Sequence, residues 1–182
     1  MTTRWPAEQP VLTDGLVTLR ALEPGDAGAV FDICQDAAVQ HFTRVPVPYL
    51  EEHAQGFVAQ GPARWRTREG AAFAVVDAST GELLGACGLV QVDLPQREGA
   101  AGYWVAPSAR GRGVARAALT LLTEWSLGEL GLHRLTLEIE QANPASAAVA
   151  VAAGYEQVGE PVTEEMKGTE RQFLTYERLR DR

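Results

Sequence analysis

The stretch VAPSARGRGVARAALTLLTEW, residues 105–125, places three arginines and two glycines in the seven positions from Arg110 to Arg116, then continues as an apolar-striped run. Val114, Ala118, Leu121, Leu122 and Trp125 recur at the spacing of one helical face. The glycine–arginine cluster therefore sits where a helix begins. AAGYWVAP (100–107) before it reads as a strand stopped by Pro107. A helix start leaves its first N–H groups without partners and carries about half a positive charge. Glycines at 111 and 113 let the backbone come close to a ligand, and Arg110, Arg112 and Arg116 add charge. Two readings follow: a cradle for a pyrophosphate, or an exposed turn with solvated arginines. The turn is not a standard phosphate loop, because GRGVAR puts Arg116 in the last slot of G-x-G-x-x-G/A and no G-K-S/T closes it.

Downstream, Gly128 and Gly131 end the helix, and HRLTLEIE (133–140) alternates strictly. Leu135, Leu137 and Ile139 share one face; Thr136, Glu138 and Glu140 share the other. Asn143-Pro144 starts a further helix, with Asn as N-cap and Pro in the first turn, and Gly154 ends it. GYEQVG (154–159) and RQFLTYERL (171–179) supply two closing strands around a polar loop, EPVTEEMKGTE (160–170).

Upstream, VTLRAL (17–22) reads as the first strand, and PGDAGAVFDICQD (24–36) as a helix with Ala29, Val30 and Ile33 inward. Residues 36–48 read as irregular, broken by Pro46 and Pro48. LEEHAQGFVAQ (50–60) suits a second helix, and AAFAVVDASTGELLGACGLVQVD (71–93) a hairpin around Ser79-Thr80-Gly81. With no internal repeat or linker, the expectation is one mixed α/β (α+β) domain over 1–182, its core spanning about 11–180.

Composition bounds the function. At 182 residues with 46% apolar and 22% charged residues, the chain can bury a substantial core. Its 24 carboxylates against 16 Lys and Arg argue against nucleic-acid binding and suit a cationic partner such as an amine. MTTRWPAEQP shows no leader pattern, and the longest apolar run, Ala147–Ala153, is too short to span a bilayer. Cys34 and Cys87 show no metal or redox spacing and read as small core residues in a reducing compartment, which points to the cytoplasm. His41, His53 and His133 have no ligand spacing, so no metal is expected.

Val105, four further residues and then Arg110-Gly111-Arg112-Gly113-Val114-Ala115 resembles the acyl-CoA signature R-x-x-G-x-G/A that follows a β-strand in GNAT N-acetyltransferases. Asn143-x-x-Ser146 followed by Ala153-Gly154-Tyr155 is similar to the N-x-x-S…G-F/Y passage of the RimJ/RimL-like branch, and LVTLRAL…GDA is similar to that branch's opening. The resemblance covers roughly residues 11 to 180 and implies the GNAT fold, a central, mostly antiparallel sheet flanked by helices. It implies acetyl-CoA as cofactor and a primary amine, above all a peptide or protein N-terminus, as acceptor. A small-molecule amine, a longer acyl group, and a noncatalytic acyl-CoA-binding module are the alternatives. A homodimer stays open.

The resemblance also assigns residues. Strands ending at Val105 and starting near His133 should splay, with main-chain groups of Tyr103, Trp104 and Val105 meeting pantetheine and Val105 N–H serving an oxyanion. Arg110, Gly111, Arg112, Gly113, Val114 and Ala115 should hold the pyrophosphate, and Asn143 the pantetheine arm. Glu138, five residues before Asn143, is the first candidate for the base; the other reading is a solvated carboxylate beside Glu140. Glu98 is the runner-up, because Ala100 stands where many relatives carry a glutamate. Ala150 stands where many carry the tyrosine acid, which leaves Ser146 to hydrogen-bond the sulfur, or to tie off helix-start N–H groups. His41, Phe42, Thr43 and Tyr49 lie in the segment that walls the acceptor site in the family, and each fits ordinary packing equally well. Trp65 among Arg64, Arg66 and Arg68 suits either an acidic partner or a solvated helix face.

Overall fold

The computed structural model describes residues 4–180; Met1–Thr3, part of the segment read for a leader, and Asp181–Arg182 lie outside the described residues. The strands are β1 (Leu12–Thr13), β2 (Val17–Ala21), β3 (Ala71–Asp77), β4 (Leu83–Asp93), β5 (Glu98–Val105), β6 (Arg134–Glu140), β7 (Glu156–Met166) and β8 (Thr169–Leu179). The helices are α1 (Ala27–Ile33), α2 (Ala37–Phe42), α3 (Glu51–Thr67), α4 (Val114–Leu127) and α5 (Pro144–Ala152). The strands form one eight-stranded sheet in the order β1-β2-β3-β4-β5-β6-β8-β7.

All neighbours in the sheet run antiparallel except β5 and β6. That parallel ladder holds only at Glu98↔Arg134, Gly99↔Leu135 and Ala100↔Thr136. Beyond Ala100 the two strands leave each other, while β5 stays paired to β4 as far as Val105 and β6 stays paired to β8 as far as Glu140. The sheet thus opens at its centre into a cleft.

Helices cover both faces. Phe73, Cys87 and Tyr103 are cross-strand partners on one face. Phe73 meets Trp125 of α4 edge-on at 5.7 Å between ring centroids. Trp104 points to the other face and meets Phe57 of α3 at 6.3 Å. Val114, Ala118, Leu119, Leu122 and Trp125 bury the α4 stripe, and buried Tyr155 shares a 2.8 Å hydroxyl contact with Thr123. Cys34 and Cys87 are both buried free thiols, and burial pushes them up to about 11 and about 12. No helix among the described residues is long and apolar enough to cross a membrane.

Three local expectations are corrected. Residues 37–42, read as irregular, form α2, because Asp36 accepts from the Ala38 and Val39 N–H groups and caps a short helix. Helix α3 runs past residue 60 to Thr67 with Pro62 inside it. An interior proline costs about 3 kcal/mol, and the last turns of α3 are held by Trp65, which is 5% exposed, packs on Trp5 and Trp125, and donates to Ala7 O at 3.3 Å. Trp65 is therefore core, not part of a solvated face. Finally, residues 160–170 are not a loop: 160–166 continue β7 and 169–170 begin β8, the tip of a two-stranded ribbon. It turns on Lys167 (φ 55°) and Gly168 (φ 74°), the double positive φ of a two-residue hairpin turn.

Candidate functional site

Main-chain groups of a strand alternate between its two edges. Ala106 N–H donates to Leu84 O of β4 at 2.7 Å, whereas Gly99 O accepts from Thr136 Oγ1 of β6 at 3.4 Å. Counting by twos, Tyr103 and Val105 turn their N–H and C=O toward the cleft. Trp104 turns its own toward β4, where it is paired with Ala86. The expectation that residues 103–105 all serve a ligand is corrected at Trp104, whose peptide groups are engaged in the sheet.

At the mouth of the cleft stands the start of α4. Gly113 is its N-cap, at φ 80° with no side-chain cap, and Gly111 lies at φ 72°. A Cβ on Gly111 would meet nothing within 4 Å, and one on Gly113 would meet only Leu16 Cδ2 at 4.0 Å. The glycines are there for backbone conformation, and the space in front of them is open. Val114 turns its side chain into the core, leaving its N–H to the turn. Two of the arginines are anchored: Arg110 to Asp36, the α2 cap, and Arg112 to Asp77 at 3.5 Å. The Arg110 guanidinium chiefly holds the Asp36 carboxyl below the usual range. Asp77 is held at about 2, chiefly by the Ser79 hydroxyl. Arg116 is exposed.

On the α4–α5 face, Asn143 Oδ1 accepts from Ser146 N–H at 3.1 Å and caps α5. That leaves the Ser146 hydroxyl free of capping duty. It lies 2.8 Å from the Tyr103 hydroxyl, which is also 3.2 Å from Ser146 O. Burial pushes the Tyr103 hydroxyl up to about 12. The sequence reading used only the Tyr103 main chain and missed this side chain. Its signal was strand parity: residue 103 shares a face with Ala101 and with the helix that follows β6. Ala150 lies on the inner face of α5 and is fully buried.

The opposite face gathers charge. Arg44 lies 3.3 Å from Glu138 and 3.0 Å from Glu164 of β7. Glu140 accepts from Arg171 of β8 at 3.0 Å, and His41 Nε2 stands 3.9 Å from it. Glu138 and Glu140, which share one face of β6, are thus each matched with a guanidinium. Arg171 also donates to His41 O at 2.8 Å, and Lys167 donates to Gln40 O, fastening α2 to the β7–β8 ribbon. Phe42 is half-buried against the His41 ring.

Two candidates are not brought to the cleft. Tyr49 is 5% exposed in the core beside Cys34 and His53, and burial pushes its hydroxyl far up. Glu98 lies at the closed end of the β5–β6 ladder, bound to Arg134 at 3.3 Å and near His133 at 3.7 Å. Seven residues of strand at ~3.3 Å each put it roughly 23 Å from Val105. Among the described residues no group of three or more His, Cys, Asp or Glu is arranged to hold a metal ion.

The family model described as "Acetyltransferase (GNAT) domain" matches residues 17–156, most of the chain. The chain belongs to the GNAT acetyltransferase family. Solved structures share the fold at low identity. RimL, named as a ribosomal L7/L12 α-N-protein acetyltransferase in complex with coenzyme A, is 18% identical, with a TM-score of 0.85 over 93% of this chain and 98% of that one. A ribosomal-protein-S5-alanine acetyltransferase from Vibrio fischeri is 17% identical, at 0.83 over 95% and 98%. A spermidine N-acetyltransferase chimera of Vibrio cholerae SpeG and hSSAT is 22% identical, at 0.77 over 91% and 96%. No protein of curated function matches the chain by sequence. GNAT acetyltransferases draw the acetyl group from acetyl-CoA. The residues present fit that donor: an uncapped helix start behind open glycines, next to a strand edge with free peptide groups.

Proposed function

We propose that this GNAT acetyltransferase acetylates the α-amine of a peptide or protein N-terminus, acting as one domain in the cytoplasm. The observation that carries the reading is the opened β5–β6 cleft. It has the uncapped start of α4 at its mouth, Tyr103 and Ser146 on one face and Glu138 on the other. Acetyl-CoA, consumed as a substrate, supplies an acetyl group activated as a thioester. N–H groups of residues 111–115 bind its pyrophosphate, and the cleft-facing peptide groups of Tyr103 and Val105 orient the arm. Val105 N–H stands ready for the oxyanion.

Glu138 takes the proton of the attacking amine at a carboxylate oxygen, directly or through one water. An α-amine with pKa near ~8 is about a tenth neutral at pH 7, a deficit of ~1.4 kcal/mol, against roughly 4.6 kcal/mol for a lysine near ~10.4. A half-exposed carboxylate shared with Arg44 suits the smaller task. The two buried free cysteines support the reducing compartment.

The test offers acetyl-CoA with free N-terminal peptides, their N-blocked, lysine-bearing counterparts and polyamines, and reads free thiol. Turnover of free N-terminal peptides alone is expected. Turnover of polyamines alone would move the assignment to small amines, and coenzyme A binding without thiol release would mark a binding module.

A further inference from the structure

Tyr103 and Ser146 are half-buried hydroxyl neighbours with one hydrogen each to give. Two arrangements fit one hydrogen per hydroxyl, the first using both the 3.2 Å and 2.8 Å contacts and the second only the 2.8 Å one. In one, Ser146 donates to Tyr103 while Tyr103 donates to Ser146 O. In the other, Tyr103 donates to Ser146 Oγ, and the serine hydrogen is released toward a third atom. The Ser146 oxygen is not called on to cap the helix start, because Asn143 Oδ1 already accepts from the Ser146 N–H. The pair is therefore a switchable donor, which an acceptor with growing negative charge pulls into the second arrangement, since linked hydrogen bonds polarise one another.

We propose that Tyr103 is a positioning residue for acyl transfer, its phenol donating to Ser146 Oγ and so aiming the Ser146 hydrogen at the sulfur of the departing thiolate. This rests on the reading of the cleft given above. The N–C bond forms as the C–S bond breaks, and the electron pair of that bond stays on sulfur. The amine proton goes to Glu138 or water, and sulfur is protonated by water. Ser146 and Tyr103 keep their own protons throughout. A phenol held at about 12 is a much weaker acid than a thiol near ~8.5, so hydrogen-bond donation is the role open to it, not proton delivery.

The test compares Tyr103→Phe, Ser146→Ala and the double variant by two measurements. One is the pH at which the thiol of bound coenzyme A ionises, followed by thiolate absorbance; the other is steady-state kinetics. In Tyr103→Phe the bound thiol is expected to ionise at higher pH and kcat to fall about tenfold, because Ser146 loses its aim at the charged sulfur. KM for acetyl-CoA should stay within about twofold, and the double variant should be no slower than Ser146→Ala alone. Fluorotyrosine at position 103, a stronger donor, should shift thiol ionisation the opposite way. Coenzyme A binding with thiol ionisation unchanged in Tyr103→Phe, or a Tyr103→Phe effect that adds in full to Ser146→Ala, would overturn the proposal alone. Wild-type protein that does not bind coenzyme A would overturn the cleft reading along with it.

Discussion

Glu138 and Arg44 stand 94 positions apart in the chain and 3.3 Å apart in the fold. The proposed base meets a cation before any substrate arrives, and an incoming amine must share it. Glu138→Gln should lower kcat by the ~10²–10⁴ of a lost general base. Coenzyme A should still raise the melting temperature as in the wild type. Part of the rate should return at high pH, where the amine deprotonates unaided. A pH–rate profile of both proteins checks this, and an unchanged rate would reject Glu138.

Arg44 gives a separate expectation. Its side chain is 63% exposed and that of Glu138 is 53% exposed, so the pair adds little stability, about 0–1 kcal/mol. Arg44→Ala should leave the melting temperature nearly unmoved while lowering KM for a cationic amine several-fold, an effect that shrinks with added salt. Steady-state kinetics at two ionic strengths decides it.

The α4 cradle can be closed by a side chain. Gly113→Val puts a branched Cβ at a φ of 80°, at a strain cost of order 1–3 kcal/mol, and fills the space in front of the first α4 N–H groups. Wild-type protein at a hundredfold excess of coenzyme A over Kd should gain ~2.7 kcal/mol. Gly113→Val should melt lower and gain nothing, and NAD should stabilise neither. Calorimetry with and without each ligand reads the difference.

Acid should act through Asp36. Its folded pKa is depressed, chiefly by Arg110. The stability it adds is therefore present above the ordinary carboxylate value of ~3.9 and is lost as pH falls through the lower folded value. Arg110→Ala should flatten that acid-side loss, and Asp36→Ala should cost about 1 kcal/mol at neutral pH through the lost α2 cap. Denaturant melts between neutral pH and the acid limb test both.

Strands such as 133–140, whose alternation matches one buried face, were legible in the sequence, as was the α4 start, where glycine φ values and the apolar stripe agree. The β7–β8 ribbon was not. Its residues are largely exposed, so no alternation marks it, and its pairing is visible only as the Lys167-Gly168 turn. Nor was α3 beyond residue 60, because Trp65 finds its partners at Trp5 and Trp125, far away in sequence. The start of α4 was readable because helix-start chemistry is local. The charged face was not, because Arg44, Glu138, Glu164, Glu140 and Arg171 meet only through the sheet.

That asymmetry has a temporal side. The fastening of α2 joins Gln40 to Lys167 and His41 to Arg171, 127 and 130 residues apart. A chain emerging from its N-terminus has produced every residue assigned to the acyl donor by Ser146. The clasp that fixes α2 must wait for β8, the last strand made. Until then the only strand neighbour of β6 is β5, along a three-residue ladder. The order of synthesis thus separates the two sides of the cleft: the residues from Gly99 to Ser146 are all made before the clasp on α2 can close.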